Sequence, residues 1–217
     1  MHVRVYGVQP DEMPTYEAAK EKYGFTFEFE KTPLSEETAD QVKGCEGLII
    51  LTNCHVTEPV AKTLAANGVK YIACRSAGSD HVDYAAVTKY GMKCAHVPAY
   101  APEAISEHTV MLALEVLRHA KLCARKVEEG DFTMAGLKGR QLGNLTAGVL
   151  GTGRIGRVTM SILNGFGTKV LGWDPFPNDA AAKLCTYVEK EELLKAADIV
   201  FLHCPLTDDS YHTINEE

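Results

Sequence analysis

Long apolar runs are absent from the 217 residues, and so is a leader-like amino terminus. With no run near the roughly 18 residues that a membrane helix needs, the sequence supplies no span and a cytoplasmic location is expected. Positive charge is also in short supply. Twenty-two Lys and Arg face 29 Asp and Glu, a formal net charge of −7, which argues against nucleic acid or an anionic membrane as a partner. Paired cysteines are missing too: Cys45, Cys54, Cys74, Cys94, Cys123, Cys185 and Cys204 are scattered, odd in number and never spaced C-x-x-C. Reduced thiols are expected, and no metal site is supported. Internal repeats and low-complexity stretches are lacking as well, which excludes a solenoid.

What is present is an alternation of strand-like and helix-like segments. Phe25 to Phe29 alternates apolar and polar residues as a half-buried strand does, and Gly47 to Leu51 is continuously apolar as a central parallel strand should be. A short helix is expected over Ser35 to Val42, and further β-α units run to about Val97. This pattern predicts a parallel sheet with helices on both faces. Pro98 and Pro102 then bracket a stiff break, and the domain boundary is placed near Tyr100, giving domains 1–100 and 101–217. From Pro102 one long helix is expected to about Glu129, apolar nearly all round in its middle and therefore buried.

The most informative stretch is Val149 to Arg157, which contains Gly151-Thr152-Gly153-Arg154-Ile155-Gly156 between an apolar strand and a helix. In that context G-x-G-x-x-G is a dinucleotide turn: Gly151 permits the tight bend, Gly153 admits a pyrophosphate, and Gly156 lets helix and strand approach. The free N–H groups and positive dipole end of the helix suit phosphate. A second strand ends at Asp174, 21 positions beyond Gly153, close to the roughly 20 expected of the acid that holds the ribose hydroxyls. An acid there repels a 2′-phosphate, so NAD is favoured over NADP. Followed by Pro175, Asp174 could also simply end a strand; the glycine turn upstream favours the cofactor reading. At most four strands are available after residue 145, whereas a complete double unit has six.

Four segments carry a family resemblance: Arg75 to Asp83 (RSAGSDHVD), Val97 to His108 (VPAYAPEAISEH), Gly148 to Gly156 (GVLGTGRIG) and Leu202 to Thr207 (LHCPLT). In these the chain resembles the D-isomer-specific 2-hydroxyacid dehydrogenases, two-domain NAD enzymes that reduce 2-keto acids to D-2-hydroxy acids. The resemblance implies an α/β protein of two Rossmann-like, doubly wound parallel-sheet domains, a flavodoxin-like substrate domain and an NAD-binding domain. It implies that the amides of Ala77 and Gly78 hold the substrate carboxylate, that Tyr100 lines the active site, and that Asn53 and Cys54 face the substrate tail. Ile105 is expected against the nicotinamide. Arg154 and Ile155 would offer N–H groups to the pyrophosphate, and His203, Cys204 and Pro205 would wall the adenosine side. A homodimer is implied as well.

The family's catalytic arginine, glutamate and histidine fall beyond Glu217 by this resemblance, as does the helix that returns to complete the first domain. The second domain is likewise expected to be truncated, and the 217 residues are expected to lack turnover. His203 tempts as an acid/base, but family position puts it beside adenosine. Arg75 is read as a brace for its loop, and Asp80 and Asp83 as helix caps. The small Cys54 thiol, with no Lys or Arg in Thr52 to Thr57, leads us to expect branched or aromatic 2-keto acids rather than 2-ketoglutarate. Two other functions compete: a non-catalytic NAD-binding fragment, and an NAD-responsive co-repressor-like protein that binds partner peptides.

Overall fold

The computed structural model describes residues 1–215 and divides into two compact units, Met1–Tyr100 and Ala101–Glu217, the last two residues lying outside the description. In the first unit β1 (His2–Tyr6), β2 (Thr26–Glu30), β3 (Gly47–Ile50), β4 (Tyr71–Cys74) and β5 (Lys93–Ala95) form one parallel sheet in the order β2-β1-β3-β4-β5. That is the flavodoxin-like winding. The helices are α1 (Met13–Tyr23), α2 (Glu58–Ala66) and α3 (Tyr84–Lys89). The two sides of the sheet are told apart by the alternation within β3: Leu48 and Ile50 join the main core with Val60, Leu64, Ile72 and Val87, while Ile49 packs with Val3, Val5 and Tyr16. On this second side an apolar groove of about 580 Å³ opens across Phe27, Ile49, Tyr71, Ala73 and Ala95.

The expected helix over Ser35 to Val42 is reduced to a single 3₁₀ turn at Ala39–Val42, preceded by turns tied by Thr38 N–H to Ser35 O. Thr38 spends its side chain on local backbone bonds, its Oγ1 accepting from Ser35 N–H at 2.9 Å and donating to Pro33 O at 3.1 Å. Such bonds compete with a regular helix.

The second unit contains α4 (Pro102–Leu117), α5 (Ala120–Glu128), β6 (Thr146–Leu150), α6 (Arg154–Gly165), β7 (Lys169–Trp173), α7 (Asp179–Ala182), β8 (Thr186–Tyr187), α8 (Lys190–Ala196) and β9 (Ile199–Leu202). Its four strands are parallel in the order β8-β7-β6-β9, so the chain reverses its direction of winding at β6. One face packs Met160 and Leu163 of α6 and Val110 and Ala113 of α4 over Ala147, Val149 and Val170; the other packs Leu193 of α8 against Leu150 and Leu171. Among the described residues no helix is long and apolar enough to cross a membrane.

The single long helix expected from Pro102 is instead two. His119 takes a left-handed conformation, φ 52°, between α4 and α5. The cause lies 20 residues downstream. Arg140 N–H donates to Leu117 O at 3.0 Å and the His119 ring meets Lys138 O at 3.2 Å, so the incoming segment takes the carbonyl that another helical turn would use. The expected all-round burial also fails. Val110 and Ala113 are buried, but Met111, Leu112 and Val116 are exposed, because only one side of α4 faces α6.

Gly148 decides how closely α8 can approach β6. A Cβ placed there would lie 2.3 Å from Leu193 Cδ2 and 3.1 Å from Ala197 Cβ. We expect Gly148→Val to destabilise the protein by about 1–3 kcal/mol, the usual range for overpacking. Urea unfolding of the variant beside the parent checks this, and equal midpoints would show that α8 yields freely.

Candidate functional site

The reversal of winding at β6 leaves a crevice beyond the strand ends, which is where ligands bind in open α/β sheets. The glycine turn sits there. Gly151 has φ +92°, and a Cβ on it would lie 2.5 Å from the His203 carbonyl carbon and 2.6 Å from Cys204 N. A Cβ on Gly156 would fall 2.1 Å from Gly151 O, so α6 lies directly against the turn. Gly153, in contrast, has nothing within 4 Å of its would-be Cβ and opens outward. This is space for a ligand backed by main chain, and it fits a pyrophosphate.

Arg157 N–H is the first in α6 to find a helical carbonyl, that of Gly153 at 3.1 Å. Among the described residues, the N–H groups of Arg154, Ile155 and Gly156 therefore end the helix with no protein acceptor, with the dipole's positive end behind them. Ser106 anchors this turn from α4, its buried hydroxyl donating to Ile155 O at 3.0 Å. One residue earlier, Ile105 is exposed.

Asp174 follows β7 and is gripped by the same turn. Its Oδ2 accepts from Thr152 N–H at 2.6 Å and from Thr152 Oγ1 at 3.1 Å, while Oδ1 accepts from Phe176 N–H at 2.9 Å. Beside it a groove of about 550 Å³ is lined by Trp173, Pro175, Tyr187, Glu189 and Glu192. Its acidic lining favours hydroxyls over phosphate at this end.

His203 and Cys204 meet the turn through backbone, His203 N–H also donating to Leu150 O at 2.7 Å; Pro205 follows, exposed. The His203 ring is turned under α6, with Nε2 2.9 Å from Thr159 Oγ1, and burial pushes its pKa below the ordinary 6.5. A ring committed to Thr159 is poorly placed to exchange a proton with substrate.

In the first unit the segment after β4 is shaped by its carbonyls. Ala77 O meets the His96 ring at 2.9 Å and Gly78 O accepts from Ser76 Oγ at 2.7 Å. Among the described residues, the exposed Ala77 and Gly78 N–H groups donate to no protein acceptor, which suits a carboxylate. The Asn53 loop lies alongside, tied by Val56 N–H to His81 O and by Asp83 N–H to Val56 O, both 2.9 Å. Arg75 is a brace: it pairs with Glu12 and donates to Tyr6 O at 3.0 Å and Gly7 O at 3.2 Å. Asp83 caps α3 through Ala86 N–H at 2.9 Å.

One expectation needs correction. Cys54 is fully buried, its Sγ accepting from Leu34 N–H at 3.4 Å, so its thiol faces the core and cannot contact a substrate tail. Asn53 beside it is exposed, and so is Tyr100, 71% accessible at the end of the unit. Sequence reasoning missed two residues at the second unit's site, Tyr187 and Asn178, whose polar groups reach Thr152. Their distance in sequence hid them. Elsewhere, His2, Glu28 and Cys45 lie close enough to share a metal ion, but Glu28 is taken by Arg4 at 2.8 and 3.3 Å, which leaves the cluster an ion pair.

Comparison with known proteins bears on this geometry. Residues 110–217 match the model of the D-isomer specific 2-hydroxyacid dehydrogenase NAD binding domain. An aromatic 2-oxoacid reductase of Clostridium sporogenes is 39% identical and a D-lactate dehydrogenase of Escherichia coli 38% identical, each across 100% of the chain. The chain spans 66% of the length of both relatives. The apo-structure of Escherichia coli D-lactate dehydrogenase superposes with a TM-score of 0.88 at 38% identity, covering 100% of this chain and 69% of that one. D-Lactate dehydrogenase from Aquifex aeolicus, complexed with NAD and lactic acid, gives 0.86 at 31% identity, with 99% and 64% covered.

The half-buried His203, its pKa lowered by desolvation, leads us to expect a pH dependence of stability. Its pKa is depressed in the folded state, so the unfolded chain binds more protons at mildly acid pH. Its contribution to stability is full above the ordinary value and is lost as pH falls toward the depressed one. We expect the melting temperature to drop between pH 7 and 5, and His203→Gln to flatten part of that drop. Melting curves across this interval check it; an unchanged slope in the variant would assign the dependence elsewhere, for instance to His81, also depressed by burial.

Proposed function

Because the chain belongs to the D-isomer-specific 2-hydroxyacid dehydrogenase family, we propose that it holds NAD and the substrate carboxylate for reduction of 2-keto acids to D-2-hydroxy acids. The observation that carries this reading is the glycine turn closed onto Asp174 at the reversal of winding, with unspent N–H groups on one side and a fixed carboxylate on the other. NADH bound there supplies the hydride that reduces the keto carbon.

In this reading residues 101–217 are the cofactor domain. The N–H groups of Arg154, Ile155 and Gly156 hold the pyrophosphate, and Asp174 takes the adenosine ribose. Ile105 packs against the nicotinamide, while His203, Cys204 and Pro205 wall the adenosine side. Residues 1–100 are the substrate domain, with Ala77 and Gly78 N–H groups on the carboxylate and Asn53 and Tyr100 along the substrate. Two N–H donors on a carboxylate are charge-assisted and orient it without a buried cation. Proton transfer to the new hydroxyl is assigned to none of the described residues, since the histidine beside the glycine turn is bonded away from it.

Accordingly, we expect the 217-residue protein to bind NADH and oxidise none of it with pyruvate, 2-ketoisocaproate, phenylpyruvate or 2-ketoglutarate. NADH absorbance followed over time checks this. Turnover would place the proton donor within these residues. Substrate preference follows from the loop after β3, which offers no Lys or Arg for a second carboxylate. In a protein of the relatives' full length, phenylpyruvate or 2-ketoisocaproate should exceed 2-ketoglutarate by at least about tenfold in kcat/KM, the scale of one missing charged hydrogen bond. Equal efficiency would remove the loop as the selector.

A further inference from the structure

Behind Asp174 runs a chain of hydrogen bonds whose direction is fixed by proton count. Asn178 N–H can only donate, and it points at Tyr187 Oη, 3.2 Å away. The Asp174 carboxylate can only accept, and Thr152 Oγ1 stands 3.1 Å from its Oδ2. Between them the Tyr187 and Thr152 hydroxyls are 2.7 Å apart. With one proton each, Thr152 must give its own to Asp174, and Tyr187 must then give its own to Thr152. Asn178 Nδ2 reinforces the link, 3.2 Å from both Thr152 Oγ1 and Thr152 O. Thr152 is fully buried, so water does not compete.

We propose that this relay makes Tyr187 a specificity-determining residue: with Thr152 and Asn178 it positions the Asp174 carboxylate so that the cofactor site prefers NAD to NADP. The proposal rests on the reading of the glycine turn as the NAD site. Three protein donors hold the carboxylate: Thr152 N–H and O–H at Oδ2, and Phe176 N–H at Oδ1. A carboxylate has about four lone-pair positions, so one at Oδ1 is left for a ribose hydroxyl. Held this way, the carboxylate cannot turn aside for a 2′-phosphate, which would meet a fixed negative charge with Glu189 and Glu192 along the same groove. Two neighbouring cations are also occupied. Lys190 lies over the Trp173 ring, 5.6 Å from its centre, and Arg157 is held by Asn178 Oδ1 at 3.4 Å. The residue that anchors the relay thus also restrains an arginine that a phosphate could recruit.

Trp173, the only tryptophan, adjoins Asp174 and reports on this end of the site. Titrating its fluorescence with NADH and NADPH gives both dissociation constants without turnover. Tyr187→Phe removes one hydroxyl and should lower the NADPH-to-NADH ratio of Kd by about fivefold, the equivalent of roughly 1 kcal/mol for one hydrogen bond. Thr152→Val should do the same, and Thr152→Ser, which keeps the hydroxyl, should retain the parent ratio. A purely structural role would weaken both cofactors alike and leave the ratio unmoved. If Asp174→Asn abolishes discrimination while Tyr187→Phe leaves it intact, the relay is wrong and the cofactor site stands. If Asp174→Asn leaves the ratio unchanged, the cofactor reading fails with it.

Discussion

The second unit is organised by a close approach of three backbones that leaves no room for side chains. The turn at Gly151 touches the carbonyl end of β9, and Gly156 brings the first turn of α6 onto the carbonyl of Gly151. Once those contacts exist, the helix N-terminus, the end of β7 and the end of β9 converge without further specification. Thr152 is carried into the interior between two glycines, where its amide and hydroxyl both reach Asp174. Ser106, from a helix outside the sheet, closes on the same turn. The open helix end and the placement of the acid at the strand end are two results of one steric condition.

Much of this was legible because its causes are local. A glycine turn between an apolar strand and an amphipathic helix announces itself within about ten residues, and a continuous apolar run such as β3 does so within four. Parallel strand direction follows from the β-α alternation, since parallel neighbours need crossovers, whereas the flavodoxin-like order is implied only by the family resemblance. The break in the long helix and the burial of Cys54 share a different origin. Nothing between Leu117 and Ala120 resembles a helix stop; the break at His119 is imposed by Arg140 and Lys138, whose arrival depends on the path of a later segment. Cys54 looked like a loop thiol because it follows Asn53, yet the backbone of Leu34 draws it into the core.

The candidate site divides along the same line. Gly151, Gly153, Gly156 and Asp174 could be found from spacing, and the Ala77–Gly78 amides from resemblance. Tyr187 and Asn178 could not, because a tyrosine in a two-residue strand and an asparagine after Pro177 carry no periodic signal. Their importance exists only as distances to Thr152. The contact of the His203 ring with Thr159 is likewise not revealed by its strand-end position.

The strand order of the first sheet has a consequence for how the molecule is made. β2 pairs with β1, β3 with the other edge of β1, β4 with β3, and β5 with β4. Each strand after β1, as it leaves the ribosome, therefore meets an edge that earlier residues have already built. None must wait for a later partner or be threaded between two that are already joined. In the second sheet the same holds for β7 and β8, and β9 returns to the edge of β6 that had stayed open. Synthesis from the amino terminus and growth of the sheets run in the same direction, which shortens the time that unpaired edges are available to other chains.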